Sequence, residues 1–195
     1  MNKVFTLFLW IIGYYLPAQT VSFDITIFGN TIGRMEVTKS QDNEGNETYL
    51  LISKSKAKVL WIVREGFSKF EATYKNGKLF SCSHFEMENN KIKRFTKVKF
   101  DGKLYQVESL NMPVRTFSEF PECSDLSLYF RDNKDLKRLF YLPDASFYNL
   151  TQLDANSLEF KSSDGHRNVY FFENGKIKTM EFHLALATVY MKRIN

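Results

Sequence analysis

Tyr74-Lys75-Asn76-Gly77-Lys78-Leu79 returns near the end of the chain as Phe172-Glu173-Asn174-Gly175-Lys176-Ile177, and in shortened form at Phe100-Asp101-Gly102-Lys103-Leu104. Asn-Gly and Asp-Gly pairs tolerate the positive φ angles of a two-residue type I′ turn, whose twist matches the strands it joins. The three corners therefore predict antiparallel hairpins, and the fold class that follows is mainly β. Only the corners repeat. The strands around them differ in length and face, so the chain is not a repeat protein.

Upstream of the first corner, Val21, Phe23, Ile25 and Ile27 alternate with Ser22, Asp24 and Thr26, the pattern of a half-buried strand. Gly29-Asn30 turns it, and Gly33, Met35 and Val37 continue on a partner. After a polar loop at Gln41–Asn46, strand character resumes from Thr48 to Ile52. It is interrupted at Val59-Leu60-Trp61-Ile62-Val63, where an unbroken apolar run predicts burial on both faces or a bend. A short helix is the other option there, opposed by Gly66 and the β-branched residues. Downstream, Leu79–Met87 and Ile92–Phe100 flank a corner at Glu88–Lys91. Residues Val21–Val107 thus read as a meander of about seven strands. Such a sheet must twist and curl.

Beyond Val107 the texture changes. Leu110–Glu122 carries Pro113 and Pro121 around Phe117 and Phe120 and reads as an aromatic loop that must pack on something. Ser124 or Asp125 is placed to cap a short helix near residues 124–131 through Leu126, Leu128, Tyr129 and Phe130. Asp132–Asp135 breaks it. Leu139-Phe140-Tyr141-Leu142 then reads as a buried strand. The remainder is β again, through the Asp164-Gly165 and Asn174-Gly175 turns to a closing strand at Ala187–Met191. The expected architecture is one curled antiparallel meander or β-roll, a partly open barrel, forming a single domain over residues 19–195.

Met1-Asn2-Lys3, the apolar run Val4–Leu16 and Pro17-Ala18-Gln19 have the order of a secretory signal peptide, residues 1–18. The run is shorter than the roughly 20 residues that span a bilayer. The expected product is periplasmic or secreted, with no transmembrane span after cleavage. No cysteine precedes Cys82 to carry a lipid at the processed terminus. The formal charge of +5 is modest for this length. Lysines and arginines concentrate at Lys54, Lys56, Lys58 and at Lys91, Lys93, Arg94, Lys97, Lys99. A solvated strand face with edge-protecting lysines is the simplest reading, a patch for anionic envelope material the other. Export argues against nucleic acid as a partner. An oxidising compartment permits a disulfide between Cys82 and Cys123, the only cysteines, with free buried thiols the alternative.

No residues stand out as catalytic. The chain lacks a Gly-x-Ser-x-Gly elbow, a His-Glu-x-x-His helix, a Cys-x-x-Cys pair and a phosphate-cradling glycine loop. Cys82, His84 and Glu86 share a strand face, but three ligands on one extended strand rarely close around an ion. His166 and His183 read as surface residues. No metal and no cofactor is expected. The aromatic residues offer more: in a curled sheet, Trp61, Phe117, Phe120, Tyr129 and Phe130 are candidates to line an apolar site roofed by the aromatic loop, although core packing alone would also employ them.

Phe23-Asp24-Ile25-Thr26-Ile27-Phe28-Gly29-Asn30-Thr31-Ile32-Gly33, the Trp61 region leading to Asn76-Gly77, Leu128-Tyr129-Phe130 and Asn168–Gly175 together resemble a group of exported bacterial domains of unknown function. The resemblance implies a curled antiparallel sheet of the kind described as a spiral β-roll, and brings no catalytic residues. The Ala18-Gln19 junction resembles signal-peptide ends common in Bacteroidota. The functional expectation is a non-enzymatic exported protein that binds an apolar or amphipathic envelope component. A hydrolase with a dispersed site and an interaction module of an envelope assembly are the alternatives.

Overall fold

The structure, a computed structural model, describes residues 18–59, 61–131 and 136–195. The expected signal peptide, apart from Ala18, lies outside them, as do Leu60 and the break at Asp132–Asp135. The alternating stretches form β1 (Gln19–Ile27), β2 (Asn30–Gln41), β3 (Glu47–Val59), β4 (Ile62–Lys75), β5 (Lys78–Glu88), β6 (Lys91–Phe100), β7 (Tyr105–Ser109) and β8 (Met112–Phe117). After a single 3-10 turn at Ser127–Tyr129 come β9 (Arg138–Tyr141), β10 (Ser146–Asn149), β11 (Thr151–Asp154), β12 (Ser157–Lys161), β13 (Arg167–Glu173), β14 (Lys176–His183) and β15 (Thr188–Arg193).

Thirteen strands make one antiparallel sheet. Chain neighbours are sheet neighbours from β1 to β8 and from β11 to β15, and the two runs join where β15 pairs with β1. β8 and β11 remain as edges, so the curl does not close. The corners that predict the hairpins are present: Asn76 and Gly77 have φ of 51° and 73°, Asn174 and Gly175 52° and 74°. The Asp101-Gly102 corner differs. Only Gly102 has positive φ, and Asp101 Oδ1 accepts the N–H groups of Lys103 and Leu104, so a side chain holds a longer turn.

A one-layer sheet leaves its apolar face in water unless something covers it. The inner face here carries Phe23, Met35, Val37, Tyr49, Tyr105 and Met180, all buried. The cover is made by residues 123–131 and 136–142, a plug inside the curl. β9 anchors it, pairing with β10 on one side and on the other exchanging bonds with Cys123 and Asp125, Phe140 N–H to Cys123 O at 2.9 Å and Asp125 N–H to Phe140 O at 3.2 Å. The 3-10 turn is tightened by Ser127 Oγ, which accepts the Ser124 N–H and donates to the Ser124 carbonyl. Plug and sheet are stitched by Tyr74 OH donating to Ser124 Oγ at 2.8 Å and Thr96 Oγ1 donating to the Pro143 carbonyl at 2.9 Å.

One expectation needs correction and two open readings are decided. Part of the aromatic loop, Met112–Phe117, is an edge strand, which tolerates Pro113 because an edge does not need every N–H. Of the two readings of the apolar run, burial on both faces or a bend, the bend is present: the run makes the tip of the β3–β4 hairpin, where Trp61, 81% exposed, is followed by exposed Ile62 and Val63. The hairpin outruns its neighbour, since Gly66 already pairs with Glu88 at the end of β5. Cys82 and Cys123 form no disulfide. Both are buried thiols; Cys82 belongs to the sheet's inner face, while Cys123 Sγ turns to Ser127 Oγ, 3.1 Å away.

β2 and β3 approach unusually closely at Gly33, where a Cβ would stand 2.1 Å from the Lys54 carbonyl oxygen and 2.7 Å from Ser55 Cα. Both obstacles are backbone, so the strands must part to admit a methyl group. Gly33→Ala is expected to lower stability by about 1–3 kcal/mol, measured by urea denaturation. An unchanged midpoint would show that the approach is not required.

Candidate functional site

The plug does not fill the curl completely. A cavity of about 140 Å³ remains between the 3-10 turn and the strands, lined by Met35, Leu51, Phe70, Tyr141 and Tyr170 beside Asp125, Leu126 and Tyr129. Ser53, Ser68, Phe182 and Met191, all half-buried, complete the lining towards solvent. From there towards the hairpin tip the inner face of β2–β4 continues with small residues as far as Gly66, beyond which Arg64 pairs with Ala57. Ser53 faces Ser68, and Ser55 lies between Gly33 and Gly66 in register. Side chains of directly paired residues share a face, so this wall leaves the approach to the cavity open.

Asp125 gives the cavity its polar floor. Burial pushes its carboxyl up to about 8, assisted by Asp144, against the N–H groups of Leu142, Leu126 and its own residue, which hold it down. The group is thus protonated at neutral pH and can donate a hydrogen bond. Tyr129, Tyr141 and Tyr170 are also pushed up by burial. The Tyr129 hydroxyl lies 3.4 Å from Met180 Sδ and 4.0 Å from Met35 Sδ. The lining is therefore uncharged and largely apolar, with a carboxyl proton and a few hydroxyls: suited to an apolar group bearing a hydrogen-bond acceptor, not to an ion.

His84 sits behind this wall. Its ring stacks on Phe70 at 4.0 Å, and Nδ1 has no partner. Burial, with the Arg94 guanidinium, pushes it down to about 3, so it is neutral. Cys82 is equally buried, but Glu86 reaches solvent, its Oε2 3.9 Å from His84 Nε2. No cluster of three potential metal ligands occurs among the described residues. His183 lies between Thr188 Oγ1 and Glu181 Oε2, each at 3.1 Å, on a half-buried hairpin surface, with Arg167 also at its Nε2. His166 pairs with Asp164 at 3.1 Å. None of the three histidines lines the cavity.

Of the five aromatic candidates, only Tyr129 lines the cavity. Phe130 packs on Tyr49, and Phe117 stacks on Tyr105 at 4.7 Å. Phe120 packs on Phe100 and Tyr105 and lines a separate open cleft of about 760 Å³ with Lys75, Lys78, Phe80 and Lys99. Trp61 stands at the hairpin tip. The sequence reading missed Asp125, taken only as a helix cap. Its signal was an acid inside Cys123-Ser124-Asp125-Leu126 and just before Leu128-Tyr129-Phe130, a setting too apolar for a solvated carboxylate.

The family model for a domain of unknown function, DUF6134, matches residues 23–194. Among solved structures, a β-barrel-like protein of the domain of unknown function DUF1849 from Brucella abortus is similar over 93% of this chain and 97% of its own, with a TM-score of 0.61 at 9% identity. That likeness is one of fold. A DUF1089-family protein from Pseudomonas aeruginosa covers 90% of this chain and 95% of its own at 12% identity, but its TM-score of 0.31 carries no argument. No curated protein matches the chain. No helix among the described residues is long and apolar enough to cross a membrane.

Proposed function

The chain belongs to the DUF6134 family, a domain of unknown function, and from the geometry of its interior we propose that it is an exported, non-enzymatic binding module for the apolar end of an amphipathic molecule. One observation carries the reading: a largely apolar cavity that bears no charge, its one ionisable acid, the Asp125 carboxyl, being kept protonated by burial beside serine and tyrosine hydroxyls. Its 140 Å³ is comparable to the roughly 150 Å³ that admits a benzene ring. It takes a ring or the terminus of an acyl chain, while the remainder of the molecule lies along the small-residue wall of β3 and β4. Export rests on the signal-like residues 1–18, and their Ala18-Gln19 junction favours a Gram-negative periplasm as the setting.

Native mass spectrometry of the protein purified from its own periplasm tests this. A co-purifying small molecule is expected. Ser68→Phe, which places a ring at the mouth, is expected to weaken its retention about tenfold, equivalent to 1.4 kcal/mol. A protein that carries no small molecule, or a Ser68→Phe variant that keeps it fully, contradicts the proposal.

A further inference from the structure

Three hairpin tips stand side by side at the end of the curl towards which the small-residue wall runs. The β1–β2 tip carries Phe28, the β3–β4 tip Trp61, Ile62 and Val63, and the β14–β15 tip Leu184 and Leu186. They are neighbours because the sheet order there is β14-β15-β1-β2-β3-β4. The pairs Ile27 with Val189 and with Asn30, and Val59 with Ile62, bring all three to a similar level. Strand spacing sets adjacent hairpins about 10 Å apart. Phe28 is 69%, Trp61 81% and Leu186 94% exposed. One exposed leucine is ordinary; six large apolar residues on adjacent tips are not. At the opposite end, the turns Asp42–Asn46, Asn76-Gly77, Asp101-Gly102-Lys103 and Asn174-Gly175 carry no large apolar residue.

Phe28 adds an independent argument. Its φ is 49°, followed by Gly29 at 78°, the same pair of left-handed conformations that Asn76-Gly77 and Asn174-Gly175 adopt. Phenylalanine is a poor choice there, since its Cβ crowds the backbone and its side chain offers no local hydrogen bond. It also takes no part in the hydrophobic core. A local rule broken without gain in the folded chain points to a use outside it.

Charge identifies what that use faces. The tips themselves bear no charge, but the neck of the β3–β4 hairpin carries Lys54, Lys56, Lys58 and Arg64 against the single carboxylate of Glu65. Lys56 pairs with Glu65 and Arg64 with Glu88; Lys54 and Lys58 have no carboxylate partner among the described residues. We propose that this end of the curl docks on an anionic phospholipid surface, the three tips entering the interface and the lysines resting among the headgroups. Lys58 is the next-to-last residue of β3 and pairs with Val63, which sets the lysine just behind the tip, on the headgroup side of anchors that sink roughly 5–10 Å below the headgroups. The proposal holds whatever the cavity contains.

The test uses the full chain carrying Trp10→Phe, so that Trp61 is the sole tryptophan. Vesicles of phosphatidylcholine with a quarter phosphatidylglycerol are expected to shift Trp61 emission to the blue and shield it from acrylamide. Partition onto them should exceed that onto pure phosphatidylcholine by about tenfold, as two unpaired lysines near a charged surface would give. Lys54→Gln with Lys58→Gln should abolish that difference, and Leu186→Ser, at a position too exposed to affect folding, should weaken partition to both. The idea is overturned if Trp61 emission stays unchanged while the chain floats with vesicles, which assigns the binding to residues 1–17. It is equally overturned if Leu186→Ser partitions like the parent. Absence of vesicle binding, with a photo-cross-linker at position 61 capturing an envelope protein, overturns it in favour of a protein interface.

Discussion

Asp125→Asn is expected to stabilise the protein by roughly three powers of ten in its folding constant at pH 7 and to remove its sensitivity to mild alkali. The reason is linkage. In the unfolded chain the carboxyl titrates near its ordinary value of 3.8, whereas burial raises it to about 8 in the folded state. Between those values the folded protein holds a proton that the unfolded chain has lost, and each pH unit weakens folding about tenfold. The favourable contribution is complete below 3.8 and is lost as the pH rises through about 8. His84 acts in the opposite sense. Its pKa falls from 6.5 to about 3 on burial, so its contribution is complete above 6.5 and is lost as the pH falls towards 3. The two slopes oppose each other between 3.8 and 6.5 and leave Asp125 acting alone from 6.5 to 8. Urea denaturation at pH 6.5 and pH 8 should therefore show the parent weakening and Asp125→Asn holding level. A variant with the parent's slope, or one no more stable at pH 7, would mean that the carboxyl is hydrated and the cavity floor is polar in a different way.

The sheet was legible because its determinants are local. Asn76-Gly77 and Asn174-Gly175 need only their own backbone to specify a reversal, and the alternation of Val21, Phe23 and Ile25 needs only a period of two. The plug was legible in part. Leu139–Leu142 declares itself buried, but what buries it, an exchange of bonds with Cys123 and Asp125, joins residues over a dozen positions apart and leaves no periodic trace. The Val59–Val63 run left burial and a bend both open for the same reason. Apolar content predicts burial only when a neighbour exists to do the burying, and here β5 ends at Glu88. The cavity was the least legible feature of all. It is what remains where Met35, Leu51 and Phe70 give way to Ser53 and Ser68, a matter of which side chains are too small to meet the plug. Of the aromatic residues singled out, Tyr129 reaches that space because it alone is carried there by the 3-10 turn.

Phe140→Ala is expected to cost about 3–5 kcal/mol, the range for removing a fully buried aromatic ring, and to do so without dividing the unfolding transition. Phe140 is 0% exposed and its ring meets Phe117 at 5.5 Å and Phe147 at 5.0 Å. Its backbone holds Cys123 on one flank and its ring lies against β8 on the other, so the cavity it leaves sits where plug and sheet meet. An open sheet with edges at β8 and β11 has no closed ladder to keep its curl. Its inner face, from Phe23 to Met180, stays dry only while the plug is seated. Loss of plug packing should therefore lower the stability of the whole molecule, with far-ultraviolet circular dichroism and near-ultraviolet tyrosine signals moving to the same lower midpoint. Phe120→Ala, on a ring 39% exposed that packs on Phe100 and Tyr105, should cost less, about 1–2 kcal/mol, and serves as the comparison. Two separated transitions in Phe140→Ala, with the far-ultraviolet signal melting at the parental midpoint, would make the plug a detachable lid. The sheet would then hold its curl unaided, and the cavity would become a far larger space able to take in a whole lipid.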